Sequence, residues 1–104
     1  MIKYSINLTS QFKRELEEIY NYIFFYLSSP KTATNLYLKI KNSILTLDLF
    51  PERYSKISAI TLKKHNLRKL IVGNYIIIYD TDTINHQVFI LHIFHCKQDY
   101  IKYL

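Results

Sequence analysis

The segment LRKLIVGNYIIIYD, residues 67–80, holds two runs of β-branched and aromatic residues, Leu67 to Val72 and Tyr75 to Asp80, on either side of Gly73 and Asn74. A two-residue link containing glycine joins antiparallel strands in a tight hairpin, because glycine reaches the positive-φ conformations such turns require. Further along, Asp80 to Asn85 supplies two Asp and two Thr, residues whose side chains bond to nearby backbone in turns, and leads into a third β-rich run, Gln87 to His95. The sheet therefore continues antiparallel. Lys97 to Leu104 closes the chain as a short helix or tail, with Tyr100 and Tyr103 three residues apart on one side.

Upstream of the hairpin, residues 52–66 lack periodicity and read as a long basic loop carrying Arg53, Lys56, Lys63, Lys64 and His65. Loops longer than about 12 residues in a compact domain are often functional, which makes this one a candidate contact region. Before it, Ala33, Leu36, Tyr37, Ile40, Ile44 and Leu47 recur at helical spacing, started by Ser29 with Pro30 and stopped before Pro51, which pushes Phe50 out of the helical region. A second stripe, Phe12, Leu16, Ile19, Tyr20, Ile23 and Leu27, follows the N-capping candidates Thr9 and Ser10 and ends near Ser28. So short a link makes the two helices an antiparallel hairpin. Ile2, Tyr4 and Ile6 alternate with polar residues as a half-buried strand does. The order strand, helix, helix, three strands and tail predicts one α+β domain over residues 1–104. Its helical hairpin packs on a mostly antiparallel four-stranded sheet.

The composition agrees with one folded domain and restricts what it does. Of 104 residues, 49% are hydrophobic and 21% charged, close to globular averages, and ten Tyr with six Phe offer rings both for a core and for stacking. Cys96 is the single cysteine, so no intramolecular disulfide can form, and no histidine pair has zinc-site spacing, so neither a metal nor a cofactor is expected. No apolar stretch approaches the roughly 20 residues of a membrane span, and the first residues do not resemble a signal peptide. A soluble cytoplasmic protein is expected. The net charge of +6 is uneven: residues 1–52 carry six basic and five acidic side chains, residues 53–104 eight and three. A basic field of this kind favours a polyanion or an acidic protein as partner, although it is also what ordinary solvated surface charge looks like.

Three segments are similar to the RelE/ParE family of bacterial toxins. They are Tyr4, Leu8-Thr9, Phe12, Leu16 to Ile19 and Tyr22-Ile23; Leu47 to Pro51; and Leu67 to Leu70, Asn74 to Tyr79 and Ile90 to Asp99. The resemblance implies a toxin silenced by an antitoxin, here an acidic one given the +6 charge. It implies one of two targets, ribosome-bound mRNA cut without a metal, or DNA gyrase bound without nuclease chemistry. A third reading is a toxin-like module that has lost activity and acts only in the antitoxin complex.

Cleavage of RNA by its own 2′-hydroxyl needs a group to activate that hydroxyl, cations around the crowded phosphate and a proton for the leaving oxygen. By resemblance, Lys69, Lys97 and Tyr103 fill three of the nuclease positions. The fourth, an arginine in the nucleases, is Ile76 in this sequence. Arg68, Lys63, Lys64 or His65 could compensate from the neighbouring strand or loop, and His95, which ends a strand two residues before Lys97, is a further acid–base candidate. The alternative for Lys69 and Lys97 is charge that protects a strand edge, and for His95 a packed, hydrogen-bonded residue. His92, in mid-strand, reads as structural, His86 as turn surface, Tyr75 and Tyr79 as core or near-core, and Tyr100 as a packing residue.

Overall fold

A computed structural model describes residues 2–57 and 67–104. β1 (Ser5–Leu8) is followed by α1 (Ser10–Asn21), which runs into a π-helical turn (Tyr22–Tyr26), and then by α2 (Pro30–Leu45). Two 3₁₀ turns, Thr46–Asp48 and Pro51–Arg53, lead away from α2. Three strands follow, β2 (Arg68–Val72), β3 (Tyr75–Asp82) and β4 (Gln87–His95), and a last 3₁₀ turn spans Tyr100–Tyr103. Most of the expected basic loop, with Lys63, Lys64 and His65, lies outside the described residues.

The helix starts follow the capping chemistry of the sequence. The Thr9 hydroxyl accepts the Phe12 N–H at 3.2 Å and donates to the Ile90 carbonyl at 2.7 Å, so one side chain both caps α1 and ties it to β4. At α2, Pro30 occupies the first turn, where its missing N–H costs nothing. The Ser29 hydroxyl bonds Thr32 Oγ1 at 2.7 Å instead of a backbone N–H.

The strands form one sheet in the order β1-β4-β3-β2. β2–β3 and β3–β4 are antiparallel as expected, whereas β1 lies parallel to β4, with Ser5 opposite Gln87 and Leu8 opposite Ile90. Parallel neighbours need a long crossover, and here the two helices and β2–β3 supply it. Gly73 alone in the hairpin link takes a positive φ, +59°, which puts glycine at the first central position as a type II′ turn requires. Space is not the constraint, since a Cβ there would meet only Lys39 Nζ at 3.9 Å. β3 extends two residues beyond the expected Asp80, because Thr81 and Asp82 pair with Val88 and Gln87. Asp82 then organises the turn by accepting the N–H groups of Ile84 at 3.0 Å and Asn85 at 3.1 Å, and its side-chain and backbone bonds from Asn85 lower its pKa.

A register shift between Ile78 and Tyr79 leaves Leu91 unpaired as a bulge in β4. It reverses the alternation of β4, so that Val88, Ile90 and Ile93 share one face with Leu70, Val72, Ile77 and Tyr79. The helices bury Phe12, Ile40 and Ile44, with Leu47 just beyond, against this face. Tyr79 has no solvent exposure, and its hydroxyl donates to the Pro51 carbonyl at 2.5 Å. Burial pushes its pKa up to about 12, with Tyr54 and Glu52 acting in the same direction and Arg68 and Arg53 opposing.

Several expectations are corrected. Ile2 is exposed and precedes the strand, which begins at Ser5. Leu27 is exposed because α1 gives way to the π turn before reaching it, and Tyr37 is exposed because the helices leave a groove between them. Phe50 leaves the right-handed helical region as Pro51 dictates, but enters the left-handed one, φ +53°, with its ring in solvent. His86 is more than turn surface, for its ring meets Tyr4 edge-on at 5.4 Å.

Candidate functional site

The sheet face away from the helices is where the nuclease positions fall. Register places Lys69 opposite Ile78, and Ile78 opposite His92; the adjacent row is Ile71, Ile76 and Phe94. Ile76, Ile78, Phe94 and Leu67 are buried together, with Tyr100 and Leu104 of the C-terminal turn packed onto them. Phe94 is the centre of a stack, its ring 5.1 Å from His92, 6.3 Å from Tyr100 and 5.6 Å from Tyr103. Tyr100 therefore packs as the sequence indicates. Tyr103 combines that stacking with substantial exposure, and Lys102 lies over its outer face at 5.3 Å.

The candidate residues divide among different surroundings. Arg68 points to the helix side, where its guanidinium donates to the Tyr54 carbonyl at 2.6 Å and lies 3.6 Å from Glu52. It is committed to holding the chain after Pro51. Half-buried Lys69 has its backbone N–H bound to the Ser55 carbonyl at 3.1 Å. His95 sits beside Tyr75 at 5.4 Å, edge to face, and its Nδ1 accepts the Lys97 backbone N–H at 3.1 Å. That bond fixes the turn carrying the exposed Lys97 side chain. His95 and Tyr103 do share a cleft of about 480 Å³ along the open part of β4, with Glu15, Glu18, Tyr22 and Tyr75. Neither Lys69 nor Lys97 lines it. His65 lies outside the described residues.

Glu15 lies on α1 between the apolar-stripe residues Phe12 and Leu16, and the sequence does not single it out. In the structure its carboxylate accepts the Ile93 N–H at 3.1 Å and meets His92 Nδ1 at 3.1 Å. β1 stops opposite Ile90, so among the described residues the following stretch of β4 has no strand on that side, and Glu15 occupies its edge. Gln98 does the same for the His95 N–H at 3.3 Å. Both groups block the addition of a further strand there. No local signal reveals the Glu15 contact, because its partner Ile93 is 78 residues away.

On the opposite side, the helices splay over β1 and leave an apolar groove. Its two connected parts, about 480 and 240 Å³, share Leu8, Phe12, Leu16 and Tyr37 as walls, with Ile44 and Leu45 at one end and Tyr20 at the other. Lys13, Lys41 and Glu17 are its charged lining residues. Among the described residues no cluster of His, Cys, Asp and Glu could hold a metal ion, and no helix is long and apolar enough to cross a membrane.

Residues 6–100 match the model of the ParE toxin of type II toxin-antitoxin systems, parDE, from the middle of β1 to the C-terminal turn. The chain belongs to the ParE toxin family. It is thus a toxin of a type II toxin-antitoxin system, and its α+β architecture is that of the RelE/ParE fold. Among solved structures it is similar to the chromosomal ParDE system from P. aeruginosa, with 16% identity, a TM-score of 0.72 and coverage of 93% of this chain and 100% of the other. The RelBE2 toxin-antitoxin complex from Mycobacterium tuberculosis matches at 19% identity and TM-score 0.63, over 91% of this chain and 93% of the other. The archaeal RelE-RelB complex from Pyrococcus horikoshii matches at 18% and 0.58, over 92% and 98%. At these identities the solved structures speak for the fold. No curated protein matches the sequence significantly.

Proposed function

We propose that this ParE-family toxin arrests bacterial growth by binding DNA gyrase, without cutting RNA, and that an acidic antitoxin silences it. The observation that carries this reading is the packing around position 76. Where the nucleases present an arginine to the scissile phosphate, Ile76 is buried with Ile78, Phe94 and Leu67 beneath Tyr100 and Leu104. A phosphorane needs preorganised charge, and loss of one such donor typically costs about 10²-fold or more in rate. Arg68, the nearest substitute on a strand, is turned to the other face and bonded to Tyr54. Lys69, Lys97 and Tyr103, the other nuclease positions by resemblance, do not converge, since neither lysine lines the cleft that Tyr103 shares with His95.

The basic C-terminal half favours a second reading, ribosome-dependent mRNA cleavage, because a net charge of this sign draws the chain to RNA. Induced expression in bacteria with pulse labelling of DNA and protein synthesis separates the two. A fall in DNA synthesis with DNA damage is expected, and toxicity should survive Lys97→Ala with Tyr103→Ala. A prompt fall in translation with DNA synthesis spared refutes gyrase as target; growth that continues unchanged refutes both and leaves an inactive binding module.

The antitoxin reading is supported by the groove between the helices, whose shape and apolar walls suit one face of an amphipathic helix. Lys13 and Lys41 favour acidic residues on that helix, as does the net charge of the whole chain. The likeness to ParDE and RelBE complexes agrees with such a partner.

A further inference from the structure

One cleft of this basic chain has the opposite electrostatic character. The opening of about 480 Å³ between α1 and the open part of β4 is lined by no lysine or arginine among the described residues, although the net charge is +6. Its lining carboxylates are Glu15 and Glu18. Glu15 is engaged by the Ile93 N–H and by His92, whereas exposed Glu18 makes no ion pair among the described residues. A strand residue directs its N–H and C=O to the same edge, so the Ile93 carbonyl faces the cleft as a further acceptor. Aromatic rings make up much of the remaining wall, and their neighbours hold them in place. Tyr22 stacks on Tyr26 at 5.1 Å with planes 15° apart and stays half-exposed, and Tyr75 meets His95 edge to face at 5.4 Å.

We propose that this cleft receives an arginine side chain of the antitoxin, an inference that rests on the antitoxin reading above. A guanidinium is planar, always charged and weakly hydrated, so it stacks on an aromatic face while its N–H fork bonds a carboxylate. Glu18 and Tyr22, four residues apart, supply that pair of contacts, with the Ile93 carbonyl as another acceptor. Position selects the antitoxin as the source. α1 separates the cleft from the apolar groove, giving Lys13, Leu16, Glu17 and Tyr20 to the groove and Gln11, Glu15 and Glu18 to the cleft. A helix is about 10–12 Å across, a distance that about four extended residues span, so a chain leaving the groove reaches the cleft by crossing α1. Charge gives the arginine a task. An acidic segment is drawn to most of a +6 surface without a defined register, whereas the cleft repels its carboxylates and accepts a cation, which fixes how the segment lies.

The test begins with the purified full chain and a probe of the site itself. N-acetyl-arginine amide, titrated to about 50 mM and followed by amide NMR shifts, should bind with a millimolar dissociation constant and move the signals of Glu18, Tyr22 and Gln98. The citrulline analogue, neutral and of the same shape, should not, and Glu18→Gln should weaken the arginine probe about threefold or more. A double-mutant cycle then identifies the source. Calorimetry with the cognate antitoxin should show about tenfold weaker binding for Glu18→Gln, and the same for an antitoxin with one arginine changed to alanine, with no further loss when the two are combined. Tyr22→Leu, which removes the ring but keeps an apolar side chain, should cost several-fold and couple to the same arginine. Far-UV circular dichroism checks that the variants are folded. Equal shifts from the arginine and citrulline amides overturn the site. Tight antitoxin binding in which Glu18 couples to no arginine overturns the antitoxin as its occupant and leaves the groove reading standing. A wild-type chain that binds no antitoxin refutes the antitoxin reading itself, and this proposal with it.

Discussion

Replacing Tyr79 by Phe isolates one hydrogen bond inside the core. The ring is completely buried, and its hydroxyl is the donor to the Pro51 carbonyl, which anchors the 3₁₀ turn at Pro51–Arg53 to β3. Tyr79→Phe keeps the ring and its packing but leaves a carbonyl at a buried site without its donor, a loss of about 1–2 kcal/mol. For a domain of this size that lowers Tm by roughly 5–12 °C. The pH dependence supplies an independent check. With the folded pKa near 12 and the ordinary value at 10.0, the folded state holds the phenolic proton more tightly. The contribution of Tyr79 is therefore complete below pH 10 and is lost as pH rises through 12. A two-unit shift corresponds to a ceiling of about 2.7 kcal/mol, which accommodates the about 1–2 kcal/mol expected from the lost hydrogen bond. Urea denaturation of wild type and Tyr79→Phe should thus show a gap near neutral pH that narrows between pH 10 and 12, the other tyrosines cancelling in the difference. Equal stability at pH 7, or a gap that does not narrow at alkaline pH, would refute the reasoning.

Glu15→Ala should lower stability by about 1–3 kcal/mol, measured by urea denaturation at pH 7, because it strips the partner from the Ile93 N–H; Glu15→Gln, which keeps one acceptor oxygen, should cost less. A reversed order would mean that pairing with His92, and not the strand edge, is what Glu15 serves. Reversing the groove charges with Lys13→Glu and Lys41→Glu should weaken antitoxin binding by about tenfold or more at low salt and by less at high salt, read by calorimetry. Unchanged affinity at every salt concentration would place the antitoxin elsewhere.

Elements governed by local chemistry were legible in the sequence. The sequence places β4 at its observed bounds, offers Thr9 and Ser10 as caps of α1, of which Thr9 serves, starts α2 at Pro30 and puts the hairpin turn at Gly73 and Asn74, because periodicity, capping and φ preference act within a few residues. The order of elements, with three segments of matching residues, was likewise enough to indicate the toxin family, which the family match over residues 6–100 bears out. Tertiary structure decided what depends on residues far apart in the chain. The bulge at Leu91 puts Ile93 on the helix face, because β3 and β4 slip past one another. Glu15 becomes the guard of a strand edge only because β1 ends early, and Arg68 is bonded to the Tyr54 carbonyl because the chain after Pro51 passes within its reach. The candidate nuclease residues separate for the same reason: whether side chains converge depends on strand register and on which face each one takes, and a one-residue slip in pairing reverses both.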